Sequence, residues 1–411
     1  MKPYTRKFLR LEILLLLFVW VLMLIPGAGE WYALNLYPGF SDILSLLSSV
    51  FPFSLSDVFI YGSIIFLLIY LILNVRRSAS KTFGFIFRYL PFAYVWFYLA
   101  WGMNYYRDDF YTRSEITPAK YDETIFKDFL KSYIDTLNSL YIPINQIDTN
   151  MVKKEVLARF TAIAPEFGLK QPKNFHTVKP MISTPMMSSV GVMGYIGPFF
   201  NEATVSGDLR PVQYPFTYAH EMSHLLGTAG EGEANFYAWK VCVSSQNEVL
   251  RFSGWFSILR YVISNAWLCL SEEEFDKFKS SIKPEIVELY NSNNAYWREK
   301  YNPYLGEIQN YIYDIYLKGN NVGGGMENYS EVVRMIISSR RNRYSQPVYE
   351  ASSTFKLSNI RNINKYYTIL FLSRYFFLPL PRYGHTTYYI SYFHSEAHIP
   401  VLPRNCSCPL V

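Results

Sequence analysis

The chain has 411 residues, half of them hydrophobic and 18% aromatic, which is rich for a soluble enzyme and points towards membrane. Net charge is +6, yet nine Lys and Arg against two Glu after residue 339 supply +7 of it. The preceding part is close to neutral and has no basic helix or aromatic–basic module, so composition excludes a nucleic-acid role, and four cysteines give neither zinc-finger spacing nor a dense disulfide framework.

Lys2, Arg6, Lys7 and Arg10 precede an apolar run from Leu11 to Ile25. Counted from Phe8, it approaches the ~20 residues that cross a bilayer. Pro26-Gly27-Ala28-Gly29 also suits a signal-peptide cleavage site, but two further apolar segments favour an uncleaved helix. Phe40 to Phe53 reads as amphipathic, either lying at the outer surface or packed as a loop helix. Val58 to Val75 is uncharged and forms the clearest span; Phe83 to Met103 forms a third, with Arg88 near one end. No Lys or Arg falls between residues 27 and 57, whereas Arg76, Arg77 and Lys81 crowd the loop between the second and third spans. Positive charge stays cytoplasmic, which puts everything after about Asn104 outside. Residues 1–103 are therefore expected to be an anchor of three transmembrane helices in the lipid bilayer, a multi-pass arrangement.

From Thr117 the pattern becomes that of a helical domain, expected over 104–339. Ile125, Phe126, Phe129, Leu130, Tyr133, Leu137 and Leu140 recur at helical spacing, and Asn150 is a candidate cap for a second helix. His176 lies in a polar loop and reads as a surface residue. Between Lys179 and Arg210, Gly, Pro, Ser and Met punctuate short apolar runs, as in strands joined by turns. Thr204-Val205-Ser206 is the candidate edge strand for pairing with an extended peptide; a plain sheet wall is the alternative. Glu202 is a minor candidate for a polar group in the cleft.

His220-Glu221-Met222-Ser223-His224 is an H-E-x-x-H pattern. Two His four residues apart on one helix face can reach one metal ion, and Glu221 can take a proton from a water held there. Pro215 suits the first turn of that helix and Gly227 its stop. A catalytic zinc site wants three protein ligands and an open fourth position. After Gly227 and Gly230, Glu231-Gly232-Glu233-Ala234-Asn235 opens a second helix. Glu231 in its first turn is the preferred third ligand and Glu233 the second choice. Asn235, one turn beyond Glu231 on the same face, can hydrogen-bond a ligand His, with Glu233 as a further supporting group. The cofactor expected is Zn2+.

These residues resemble the zincin superfamily, in particular gluzincin-type sites whose third ligand lies on a following E-x-x-x-D or E-x-x-A-N helix. A longer likeness is to a family of bacterial membrane proteins with a domain of unknown function, classed with zinc metallopeptidases. It rests on Gly194-Tyr195-Ile196-Gly197-Pro198-Phe199, Asn201-Glu202-Ala203, Pro215-Phe216-Thr217, His220-Glu221 and Glu231 to Phe236, then Ser253-Gly254, Arg260-Tyr261, Tyr316-Leu317-Lys318 and Tyr329-Ser330. It runs from the N-terminus to about Ser339. The likeness implies a mainly α fold with a small β-sheet, an α+β zincin-like catalytic domain, and a zinc hydrolase in the bacterial inner membrane.

Past Ser245, Trp255 to Leu270 reads as a core helix, Ser271-Glu272-Glu273-Glu274 as a capping box, and Ile282 to Leu317 as one or two long helices rich in Tyr. Tyr316 is a candidate stabiliser of a developing oxyanion, against the plainer reading of a packing Tyr. Gly319 to Gly325 reads as a loop and Tyr329 to Ser338 as a last short helix. The basic, aromatic tail 340–411, with His385, His394, His398 and Cys406-Ser407-Cys408, has no sustained period and reads as poorly ordered or loosely membrane-associated, without a catalytic part. The expected activity is extracytoplasmic hydrolysis of a peptide or protein substrate, with Glu221 as general base. The rival is a non-catalytic membrane zinc-binding sensor or assembly protein.

Overall fold

The computed structural model describes residues 3–320 and 331–345. The loop expected over Gly319 to Gly325, Tyr329-Ser330 and most of the tail, including its three His and Cys406-Ser407-Cys408, fall wholly or in part outside these residues. The described chain is mainly helical, with one three-stranded sheet.

Two helices are long and apolar enough to cross a membrane, Leu55–Asn74 and Ala79–Ala100. The first apolar run is different. Arg10–Leu24 and Ala28–Asn35 meet at a 110° bend and count as a third span only if the pair is taken as one. Gly27, at φ 77°, makes that bend in a left-handed conformation open to glycine. The helix before it is Pro3–Leu24, 22 residues that open on the basic Arg6, Lys7 and Arg10. The expectation of three transmembrane helices is thus met as two or three.

The helix Tyr37–Ser49 packs its serines inward. Ser41, Ser45 and Ser48 are buried, while Ile43, Leu46 and Leu47 face outward. Ser45 Oγ donates to the Asn201 carbonyl at 2.9 Å, and Tyr37 Oη to the Leu225 carbonyl at 2.9 Å. The segment is a helix packed on one side and apolar on the other.

The sheet consists of β1 (Val178–Pro180), β2 (Gly194–Gly197) and β3 (Glu202–Val205) in the order β1-β3-β2, with β1 parallel and β2 antiparallel to β3. β3 is therefore the centre of the sheet, paired on both sides, and Thr204-Val205 cannot receive a substrate strand. The exposed edges are β1 and β2. Glu202 is also placed differently. Its Oε2 accepts the backbone N–H of Ser56 at 2.7 Å, at the start of a span, and its Oε1 pairs with Lys179. It ties sheet to anchor and takes no part in a cleft. His176 is fully buried, held by the Lys173 backbone N–H on Nδ1 at 2.8 Å with Lys170 and Asp42 beside Nε2. A polar loop folded under neighbouring charges explains why a surface reading failed there.

Behind the sheet, the helices Tyr214–Leu225, Glu231–Val243 and Glu248–Ser257 form the centre of the domain core. The helix Thr149–Ile163 is capped by Asp148, whose carboxylate accepts the N–H groups of Asn150 and Met151, so Asn150 sits two residues inside the cap it was expected to be. The Ser271/Glu274 capping box forms as read. Trp255 to Leu270 is split between Glu248–Ser257 and Leu259–Cys269, and the long Tyr-rich stretch is two helices, Pro284–Lys300 and Pro303–Gly319. The last helix runs Val332–Ser345.

The domain is hydrogen-bonded to the two long apolar helices. Trp96 Nε1 donates to the Phe199 carbonyl at 3.0 Å, Tyr61 Oη to Ser183 Oγ at 2.6 Å, and Tyr195 Oη to Asp57 Oδ1 at 2.6 Å. Phe59 packs on Phe199 with ring centroids 4.8 Å apart.

Candidate metal centre

The helix Tyr214–Leu225 begins with Pro215 in its first turn and ends where Gly227, at φ 92°, turns the chain left-handed. Gly230 then starts the helix Glu231–Val243 without a side-chain cap. This short reversal brings the first turn of the second helix against the third turn of the first. His220, His224 and Glu231 each offer a ligand atom, and the three atoms lie within 4.8 Å of one another. Glu231 Oε2 is 3.1 Å from His220 Nε2 and 3.7 Å from His224 Nε2, and the two Nε2 atoms are 3.2 Å apart. Tetrahedral coordination with bonds near 2.05 Å puts donors about 3.3 Å from each other. The cluster has that spacing.

Its hydrogen bonds are arranged for the same purpose. His220 Nδ1 donates to the amide oxygen of Asn235 at 3.0 Å, and His224 Nδ1 to the Thr228 carbonyl at 2.7 Å. With both Nδ1 protons committed to acceptors, the Nε2 lone pairs turn towards each other and towards a carboxylate. Such a set of acceptors calls for a cation between them, either a proton or a metal. Burial depresses His220. Burial would also lower His224, but the hydrogen bond and charge of Glu231 outweigh it and push His224 up to about 9. Burial would raise Glu231, but bonds from both imidazoles hold it well below the carboxylate range.

Glu221 points elsewhere than its neighbours. It is buried, and its Oε2 has no hydrogen-bond partner among the described residues. Burial pushes its carboxyl up to about 8, with His224 pulling the other way. It rests against Gly194 of β2, where an added Cβ would lie 2.3 Å from Oε1. A buried carboxylate with a free oxygen, on an edge strand and beside a three-donor cluster, is the makeup of a proton-transferring group.

The structure brings together His220, His224, Glu231 and Asn235 as the spacing predicts. Glu233 is not among them. Its Oε1 is taken by the Arg113 guanidinium, on the far side of the helix from the two His, so it is neither ligand nor supporting group. Tyr316 Oη meets Tyr105 Oη at 3.1 Å, in keeping with the packing reading. Its neighbour Tyr313 is the residue sequence reasoning missed: Tyr313 Oη donates to Glu231 Oε1 at 2.7 Å. Tyr261 Oη accepts from Asn235 Nδ2 at 3.1 Å, and Trp101, just past a span, donates to the His224 carbonyl at 2.9 Å. Four Tyr in the helix Pro303–Gly319 were the available signal for Tyr313, and they do not say which one turns inward.

A family described as "Protein of unknown function (DUF3810)" matches residues 32–337, and the chain belongs to it. The match starts after the first apolar run and stops close to where the sequence likeness ends. No curated protein and no solved structure matches the chain.

Proposed function

We propose that this DUF3810 family member is a membrane-anchored zinc peptidase of zincin-like design, with Glu221 as general base. One observation carries the reading: a three-donor cluster, His220, His224 and Glu231, stands beside a buried carboxylate that keeps an oxygen free. Two imidazoles and one carboxylate are a donor set that suits zinc, which when bound acidifies a water and polarises a carbonyl.

The chain's own groups supply the rest. Asn235 and the Thr228 carbonyl fix the His tautomers, while Tyr313 orients Glu231. Glu221 takes a proton from a water held at the site and passes it to the leaving amine. Its raised proton affinity is the direction such a shuttle needs near neutral pH. A peptide that adds to β2 as an extended strand runs alongside Gly194, and hence past Glu221. Arg76, Arg77 and Lys81 between the two spans favour an extracytoplasmic site on the cell membrane.

The test uses the full chain purified in lipid nanodiscs, with elemental analysis beside hydrolysis of a mixed peptide library. The expected result is one zinc per chain and cleavage that Glu221→Gln abolishes while zinc stays bound. Stoichiometric zinc without cleavage of any peptide would favour a sensor or assembly protein. A chain that binds no metal would overturn both readings.

A further inference from the structure

The helix Pro303–Gly319 is amphipathic the wrong way round for a water-soluble domain. Tyr304, Leu305, Ile308, Tyr311, Ile312 and Ile315 are all exposed, Tyr304 and Tyr311 at more than 70%. At about 100° per residue they fill one continuous arc of roughly 120°, with Glu307 and Lys318 along one border. Gly306 and Leu317 are buried on the opposite side, and Tyr313 there reaches Glu231.

Both ends of this helix are fastened to the two long apolar helices. At its C-terminal end, Tyr98 of Ala79–Ala100 donates to Asn320 Oδ1 at 2.6 Å, and Leu317 is buried in one cluster with Val19, Val95 and Trp101. At its N-terminal end, the Asn302 N–H donates to the Ser189 carbonyl at 2.7 Å. Ser189 closes the short helix Thr184–Ser189, and adjacent Ser183 accepts from Tyr61, in the second turn of Leu55–Asn74. Ile182 and Met186, beside the second anchorage, are half exposed as well. The helix Tyr37–Ser49, which leads into the same span, likewise turns large apolar residues outward.

We propose that the helix Pro303–Gly319 lies in the outer leaflet of the bilayer, its exposed apolar arc in contact with lipid and its opposite face closing one side of the metal centre. Lipid is the occupant because the helix carrying the arc is tied at both ends, through Tyr98–Asn320 and through Ser189 and Ser183 to Tyr61, to helices long and apolar enough to cross a membrane. Tyr304 and Tyr311 carry hydroxyls suited to the headgroup zone, and Glu307 and Lys318 border the arc where water begins. The proposal requires only that the spans sit in a membrane, and it stands whether or not the centre hydrolyses peptides.

The test adds one tryptophan at a time to the full chain in phosphatidylcholine–phosphatidylglycerol vesicles, with or without bromine on the upper acyl-chain carbons. The fluorescence added by Ile312→Trp, read as the difference from the parent protein, is expected to fall roughly twofold in brominated vesicles, as for an apolar face some 5–10 Å into the headgroup boundary. Tyr304→Trp is expected to behave likewise and guards against one substitution disturbing the helix. The added fluorescence of Lys131→Trp, on an exposed site of the helix Glu123–Ser139, stays unchanged. Unquenched, red-shifted emission from positions 304 and 312 would place the arc in water. Unquenched, blue-shifted emission would place protein over it, a second copy or the chain's own tail. Either result overturns the proposal, and neither depends on metal or turnover.

Discussion

Gly194 and Glu221 touch so closely that any side chain at 194 must displace the carboxylate: a Cβ there would stand 2.3 Å from Glu221 Oε1 and 2.7 Å from its Cγ. Glu221 is only 4% exposed, so the displacement presses it into its packed surroundings. Gly194→Ala should therefore shift the carboxylate without touching a ligand atom. The expected outcome is a fall in kcat/KM of about 10²-fold or more, the usual worth of a positioned base, with zinc content unchanged. Full turnover in this variant would mean that Glu221 does its work from some other position, or does none.

Glu231 and Glu233 are two residues apart on one helix and meet opposite environments. Glu231 faces both imidazoles, whereas Glu233 is paired with Arg113 at a site where both side chains are at most 10% exposed. Glu231→Gln is expected to weaken zinc binding by more than the roughly 10–100-fold typical of losing a supporting partner. Glu233→Gln should leave zinc affinity alone and lower stability by about 1–3 kcal/mol, because the buried Arg113 guanidinium loses its nearest carboxylate and keeps Glu30 at 3.9 Å. Competition titration with a chromophoric chelator, alongside thermal melts, separates the two. Zinc loss in Glu233→Gln without unfolding would reverse the assignment.

That contrast shows what the sequence carried. The metal cluster was legible because its geometry is local: four residues along one helix, a glycine reversal, then the first turn of the next. Glu231 over Glu233 followed from helix phase alone. Tyr313 could not be found that way, since it meets Glu231 across 82 residues of chain and shares its helix with three other Tyr. The sheet was misread for a related reason. Strands of three or four residues carry no record of which neighbour they pair with, so β3 passed for an edge and β2, which abuts Glu221, was left unremarked. The bend after the first apolar run was not legible, because hydropathy counts residues and does not see the left-handed turn at Gly27.

Tyr313 and Tyr316 separate support from packing. Tyr313 donates to the Glu231 oxygen that faces away from the His pair, which fixes the carboxylate for single-oxygen ligation. Tyr313→Phe should loosen zinc by about 10–100-fold and leave the melting temperature of the metal-free protein nearly unmoved. Tyr316 uses its hydroxyl on Tyr105, so Tyr316→Phe should change neither zinc affinity nor kcat. A large loss of kcat with normal KM and normal zinc in Tyr316→Phe would restore the oxyanion role and remove the packing one.

His176 makes a prediction that is independent of the metal. Burial, followed by the nearby Lys170 ammonium, holds the imidazole down at about 3. An unfolded His titrates near 6.5, so as pH falls the unfolded chain takes up its proton first and the folded chain resists. Stability present above pH 6.5 is lost as pH drops towards the folded value, at most about 1.4 kcal/mol per pH unit. Asp42 adds to the trend. Burial would raise it, but the ammonium groups of Lys170 and Lys173 hold it below the ordinary value, so it too favours folding less in acid. His176→Gln keeps an acceptor for the Lys173 N–H and removes one of the two titrating groups. Thermal melts in detergent between pH 7.5 and 4.5 should then fall more steeply for the natural chain than for His176→Gln, the curves converging as pH is lowered. Parallel curves would mean that the ring takes up its proton as readily in the fold as out of it, and that the Lys170–His176–Asp42 contact opens in solution.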